Sequence, residues 1–233
     1  MELNGLEVLK NIIIQNNSPE IIISNSNNYI DKEYSYTNQV FFKQDENRFC
    51  GYKDILYLFP NIHFYCVWLF VYRCDFLFDN NFKFEPNIMY EDVLFTSYVF
   101  TFLNNIYISN IPIYNYRINR DGSIMNTKTK ESFCKSAYSY FVLSKRFFEF
   151  YKVSDDERKK YFMHWGVFYL KETLRCLQIF GYIDEIGFSK SQLSIFYPYM
   201  SGKYKFCFHF PRIYGFPKRI RLFVTKLFFK QSK

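Results

Sequence analysis

The segment from Asn87 to Phe100, NIMYEDVLFTSYVF, sets two adjacent carboxylates, Glu91 and Asp92, in a run dominated by aromatic and aliphatic side chains. An ionised carboxylate within reach of a hydroxyl proton is a general base. The same pair also suits the first turn of a helix, whose unpaired backbone N–H groups and dipole welcome negative charge. Both readings follow from residue type, and the neighbouring residues must decide between them. The nearest approach to a metal motif is Cys207 with His209, in CFHF. Zinc normally takes four ligands, so one such pair reads as packing and local hydrogen bonding.

The elements that must position these residues follow from periodicity. NGLEVLKNIIIQNN carries Leu6, Val8, Leu9 and Ile12 to Ile14 at helical spacing, and EIIISNSNNY is a β-branched run closed by turn formers, a buried strand. NQVFFKQ reads as a further strand and YKDILYLFP as a short helix stopped by Pro60. FYCVWLFVY, from Phe64 to Tyr72, is far shorter than the roughly 18 residues of a membrane span and reads as a buried strand or short helix. A loop, FDNNFKFEPN, leads into a helix from about Glu91 to Leu103, then two short strands, IYIS and IPIYNYRIN, and a turn at Arg120 to Ser123. From about Glu131 the pattern is helical, and SDDERKKYF supplies a capping box with Ser154 as N-cap and Glu157 as its partner.

The chain has 233 residues and 49% hydrophobic content, enough for a buried core. Its 30 Phe and 22 Tyr accompany abundant Asn, Ile and Lys, a mixture that looks like coding bias, so no single aromatic carries weight on its own. The net charge of +8 is concentrated at the C-terminal end, where no Asp or Glu follows Glu185. Such an end suits anionic lipid or phosphorylated substrates. Nucleic acid is disfavoured, because the aromatics lie in apolar periodic segments instead of alternating with Lys and Arg. Six cysteines without a C-x-x-C pair, and Glu2 and Glu7 in place of a basic leader, point to a reducing, cytoplasmic setting. The last segment, KRIRLFVTKLFFKQSK, would as a helix place Arg219, Lys226 and Lys230 on one stripe and Ile220, Phe223, Val224 and Leu227 on another. That pattern suits a membrane interface, or equally a terminal helix packed on the domain.

Taken together, Trp68, Tyr72, Arg73, Phe76, Leu77, Phe84, Glu91, Asp92, Phe95, Tyr114, Tyr116, Arg117 and Ser123 occur in an order that resembles the C-terminal half of bacterial family-2 glycosyltransferases, the inverting GT-A enzymes of polysaccharide and lipopolysaccharide assembly. The resemblance covers residues 1–125. It implies an α/β fold: an incomplete GT-A-like core as the acceptor half, followed by a helical extension over residues 126–216 and a basic amphipathic tail over 217–233. It also implies that Asp92 is the general base that takes the acceptor's proton, with Glu91, Trp68, Arg117 and Ser123 on the acceptor side. The implied partners are a nucleotide-sugar and a glycan or lipid-linked acceptor, at the cytoplasmic face of a membrane.

The family's N-terminal nucleotide-binding half, with its metal-holding Asp-x-Asp, has no counterpart here, since the sequence contains no Asp-x-Asp. The expectation is therefore an N-terminally incomplete gene product, or a chain that works with a separate donor half, with no metal site or cofactor of its own. The alternative is a non-catalytic membrane-surface or partner-binding module that uses the basic tail.

Overall fold

The computed structural model describes residues 4–30, 35–39, 48–53, 66–118 and 129–215. The chain forms two compact units, one of Met1–Pro86 with Tyr90–Thr127 and one of Asn87–Met89 with Lys128–Lys233. The first is mixed α/β and the second helical. Within the described residues, the expected YKDILYLFP helix is represented only by Tyr52 and Lys53, and the Arg120–Ser123 turn, Ser123 and the 217–233 tail lie outside them.

In the first unit, helix α1 (Gly5–Gln15) leads into strand β1 (Ile21–Ile30). The helix stops where the Asn16 backbone and side-chain amides both donate to the Ile12 carbonyl, at 3.0 and 2.9 Å, and Asn17 and Ser18 then turn the chain through left-handed backbone. Strands β2 (Ser35–Gln39), β3 (Arg48–Cys50), β4 (Phe70–Tyr72) and β5 (Ile106–Ile118) complete a five-stranded mixed sheet. Its spine is the parallel β1–β5 pair. The other edge of β1 is divided, with β4 pairing Ile21 to Ile23 and β2 pairing Ser26 to Ile30, both antiparallel. β3 runs antiparallel to the start of β5.

Ile21, Ile22 and Ile23 are all buried, as expected of a central strand covered on both faces. Ile22 packs with Leu9, Ile12, Tyr107 and Ile113 beneath α1. Ile21 pairs with Tyr72, whose ring meets Phe95 of helix α3 (Glu91–Phe100), so α3 covers the opposite face. Helix α2 (Cys74–Asp79) lies between β4 and α3 in sequence. Glu20 ties the starts of the parallel strands together: its Oε2 accepts the Asn104 and Asn105 amides at 2.8 and 3.1 Å.

Two expectations need correction here. IYIS and IPIYNYRIN form one 13-residue strand, because register shifts at Ser24/Asn25 and Asn25/Ser26 absorb the residues around Pro112. The Asn25 side-chain amide donates to the Asn110 carbonyl at 3.0 Å and satisfies the irregular stretch. Ser154 is likewise not an N-cap. It closes helix α4 (Lys130–Val153), donating to the Phe150 carbonyl at 2.7 Å, and Asp155 caps helix α5 (Asp156–Phe180) by accepting the Arg158 amide at 3.1 Å. A Ser-Asp connection this short can serve two helix ends, and the carboxylate is the better N-cap beside the positive end of the dipole.

In the helical unit α4 and α5 pack as a long hairpin whose core includes Phe141, Phe148, Leu170, Leu174 and Leu177. Helices α6 (Lys190–Ser194), α7 (Gly202–His209) and α8 (Pro211–Tyr214) complete it. Asn87–Met89 belongs to this unit, with the Met89 amide donating to Ser139 Oγ at 2.8 Å. No helix among the described residues is long and apolar enough to cross a membrane.

Candidate functional site

Asp92 is the second residue of α3. Tyr90, the residue before the helix, has left-handed backbone at φ 64°, a strained conformation for a bulky side chain. Val93, Leu94, Phe95, Thr96, Ser97, Val99 and Phe100 are buried, so the helix is enclosed and its first turn is the wetter part. Glu91 is exposed and Asp92 half-buried. The Val93 amide donates to Asp92 Oδ1 at 2.9 Å, and the Thr96 hydroxyl donates to the Asp92 carbonyl at 2.7 Å.

Burial pushes the Asp92 carboxyl up to about 6, against the pull of the Val93 and Asp92 backbone amides, and the Glu91 charge pushes it further the same way. The helix start does favour the charged form through these amides, but desolvation outweighs them. Among the described residues no Lys or Arg pairs with Asp92. The result is a carboxyl poised near neutrality, suited to accept a proton.

Two side chains from the Cys66–Tyr72 segment feel the Asp92 charge. Burial first, and Asp92 second, push the Cys66 thiol up to about 12, so it stays protonated and is a poor nucleophile. The same two causes drive the Tyr72 phenol well above its ordinary range. The Tyr72 hydroxyl is buried and finds no hydrogen-bond partner among the described residues. Its ring is wedged between Phe70, at 6.0 Å, and Phe95, at 5.7 Å.

Between these residues a single 3-10 turn, Val67–Leu69, presents Trp68. The indole stacks on Tyr114 at 4.9 Å and on Tyr116 at 4.7 Å, the second nearly coplanar at 5°. Register pairs Ser26 with Tyr114 and Asn28 with Tyr116, so all four share the sheet face that carries Trp68. Ser26 Oγ and Asn28 Oδ1 are buried without a hydrogen-bond partner among the described residues. This polar and aromatic patch lies toward the carboxyl end of the parallel β1–β5 pair, where open α/β sheets place ligands.

Of the residues chosen from sequence, Asp92 and Trp68 are held by adjacent elements, because the 3-10 turn packs on α3. Glu91 lies at the same helix start but is exposed. Arg117 is exposed and, one residue after Tyr116, takes the face of β5 opposite the Trp68 stack. Ser123 lies outside the described residues. Tyr72, Tyr114, Tyr116, Ser26 and Asn28 join the site without having been singled out for a role. The alternation of Tyr114 and Tyr116 was the available signal, since period two puts both rings on one face.

No group of three or more metal-ligating side chains occurs among the described residues. Cys207 donates to the Leu174 carbonyl at 3.5 Å, and the His209 ring lies 3.3 Å from the Tyr197 hydroxyl. The chain matches no family model, and no curated protein is significantly similar to it.

Proposed function

We propose that the α/β unit is the acceptor half of a GT-A-like, inverting glycosyltransferase of the family-2 type, acting in surface-glycan assembly at the cytoplasmic face of a membrane. Asp92 takes the proton of an acceptor hydroxyl as that oxygen attacks the anomeric carbon. The new C–O bond forms as the bond to the donor's diphosphate breaks, and the anomeric configuration inverts. Trp68 on its tyrosine bed offers the apolar face that sugar rings stack against. The observation that carries the reading is the half-buried Asp92 in the first turn of α3, its carboxyl raised by burial, near the buried Tyr72 hydroxyl that has no hydrogen-bond partner among the described residues.

The leaving diphosphate needs its charge neutralised. Neither an Asp-x-Asp in the sequence nor a ligand cluster among the described residues fits a divalent cation, so no step is assigned to a metal in this chain. The donor side must come from groups other than those described.

Titrating the 15N-labelled chain with methyl glycosides of common hexoses and N-acetylhexosamines tests the acceptor site directly. Saturable shifts at the Val93 amide and the Trp68 indole N–H, with the Val93 shift lost in Trp68→Ala, support it. Shifts confined to other parts of the chain, or none up to the solubility limit, would refute it.

A further inference from the structure

A second surface, independent of Asp92, lies in the helical unit. Phe206, Phe210 and Ile213 are 45%, 51% and 64% exposed, and the Phe206 ring lies 5.5 Å from that of Phe210 and 6.3 Å from that of Tyr214. Phe206 and Phe210 are thus presented together where α7 meets α8, and Ile213 is exposed in α8 three residues after Phe210. Lys203 stands three residues before Phe206 on the same side of α7. Its ammonium lies over the Tyr204 and Tyr214 rings, at 5.8 and 5.9 Å, and Lys171 approaches Tyr204 from α5 at 5.9 Å. Lys205 adds a further charge over Tyr197 at 4.9 Å.

We propose that the α7–α8 face is a docking surface for an anionic lipid bilayer. Phe206, Phe210 and Ile213 enter the interface while Lys171, Lys203 and Lys205 meet lipid headgroups. Charge selects this occupant over the others. No acidic residue follows Glu185, so the chain's own C-terminal segment is as basic as the face it would have to cover. A second copy apposed through the same face would add its own lysines to Lys171 and Lys203, with no acidic residue of α7 or α8 to meet them. A soluble polyanion would match the lysines but leave the phenylalanines and the isoleucine in water. A bilayer with anionic headgroups satisfies both sets, the apolar side chains in the acyl boundary and the ammonium groups at the phosphates.

Flotation of the full chain with phosphatidylcholine vesicles, with and without phosphatidylglycerol, tests this. The chain floats with the anionic vesicles only. Phe206→Ser/Phe210→Ser/Ile213→Ser lowers binding by at least about tenfold, and Lys203→Gln and Lys205→Gln by about fivefold each. Unchanged circular dichroism and Tm keep a folding defect from imitating the result. Wild-type indifference to phosphatidylglycerol would overturn the proposal, as would a triple variant that binds like wild type while Lys226→Gln/Lys230→Gln loses binding. Loss of self-association in the triple variant, without vesicle binding by the wild type, would assign the face to a second protein copy instead.

Discussion

The Tyr72 ring packs edge-on against Phe95 with 5.7 Å between centroids, and that contact fixes a buried phenol beside the first turn of the helix that begins with Glu91 and Asp92. The ring is well packed and its hydroxyl is not hydrogen-bonded among the described residues. A buried unpaired hydroxyl costs stability, so Tyr72→Phe, which keeps the ring, is expected to raise stability by about 1 kcal/mol in denaturant unfolding. The same change weakens methyl glycoside binding if the phenol serves the acceptor. A loss of stability would show that the hydroxyl is already bonded.

Asp92→Asn keeps an acceptor oxygen for the Val93 amide and removes the charge. Because burial raises the folded-state value to about 6, the ionised form destabilises the fold, and the wild type loses stability as pH rises from the ordinary carboxylate value of 3.8 through about 6. The variant is therefore more stable than wild type at neutral pH. Its advantage shrinks as pH falls through 6 and vanishes below about 4. Thermal unfolding of both chains across that range checks the sign.

Trp68→Ala removes an indole stacked on two tyrosines. Each aromatic pair contributes about 0.5–1.5 kcal/mol beyond burial, so a loss of about 2–4 kcal/mol is expected by denaturant unfolding. Trp68→Phe restores part of it.

Much of the frame was legible in the sequence. The Leu9 and Ile12 spacing of α1 and the run Ile21 to Ile23 of β1 appear where their patterns place them, and the helix carrying Asp92 starts at Glu91. What stayed hidden depends on tertiary pairing. Pro112 divides the β5 pattern into two, and only the partner strand shows that shifts at Asn25 absorb the break. Ser154 and Asp155 are both good N-caps, and the choice rests on which helix end each side chain reaches. Composition made every aromatic look ordinary, so the Trp68 stack and the Tyr72 phenol emerged only from their neighbours. The desolvation that raises Asp92 is likewise a property of the packed helix.

Gly215 ends α8 against α5, where a Cβ would collide with the Gln178 carbonyl oxygen. Backbone cannot yield as a flexible side chain would. Gly215→Ala is expected to cost about 1–3 kcal/mol, measured as a lower Tm.

If the chain supplies only the acceptor half, as proposed, then purified alone it neither hydrolyses nor transfers sugar from nucleotide-sugars with added divalent metal. Metal-dependent turnover abolished by Asp92→Asn would show instead that the chain carries its own donor site.

The most direct test of the account is the pH titration of the Asp92 side-chain carboxyl by 13C NMR, assigned by comparison with Asp92→Asn. A midpoint near 6 is the result expected of a desolvated base. A midpoint at or below 4 would make Asp92 an ordinary helix-start carboxylate and remove it from the chemistry.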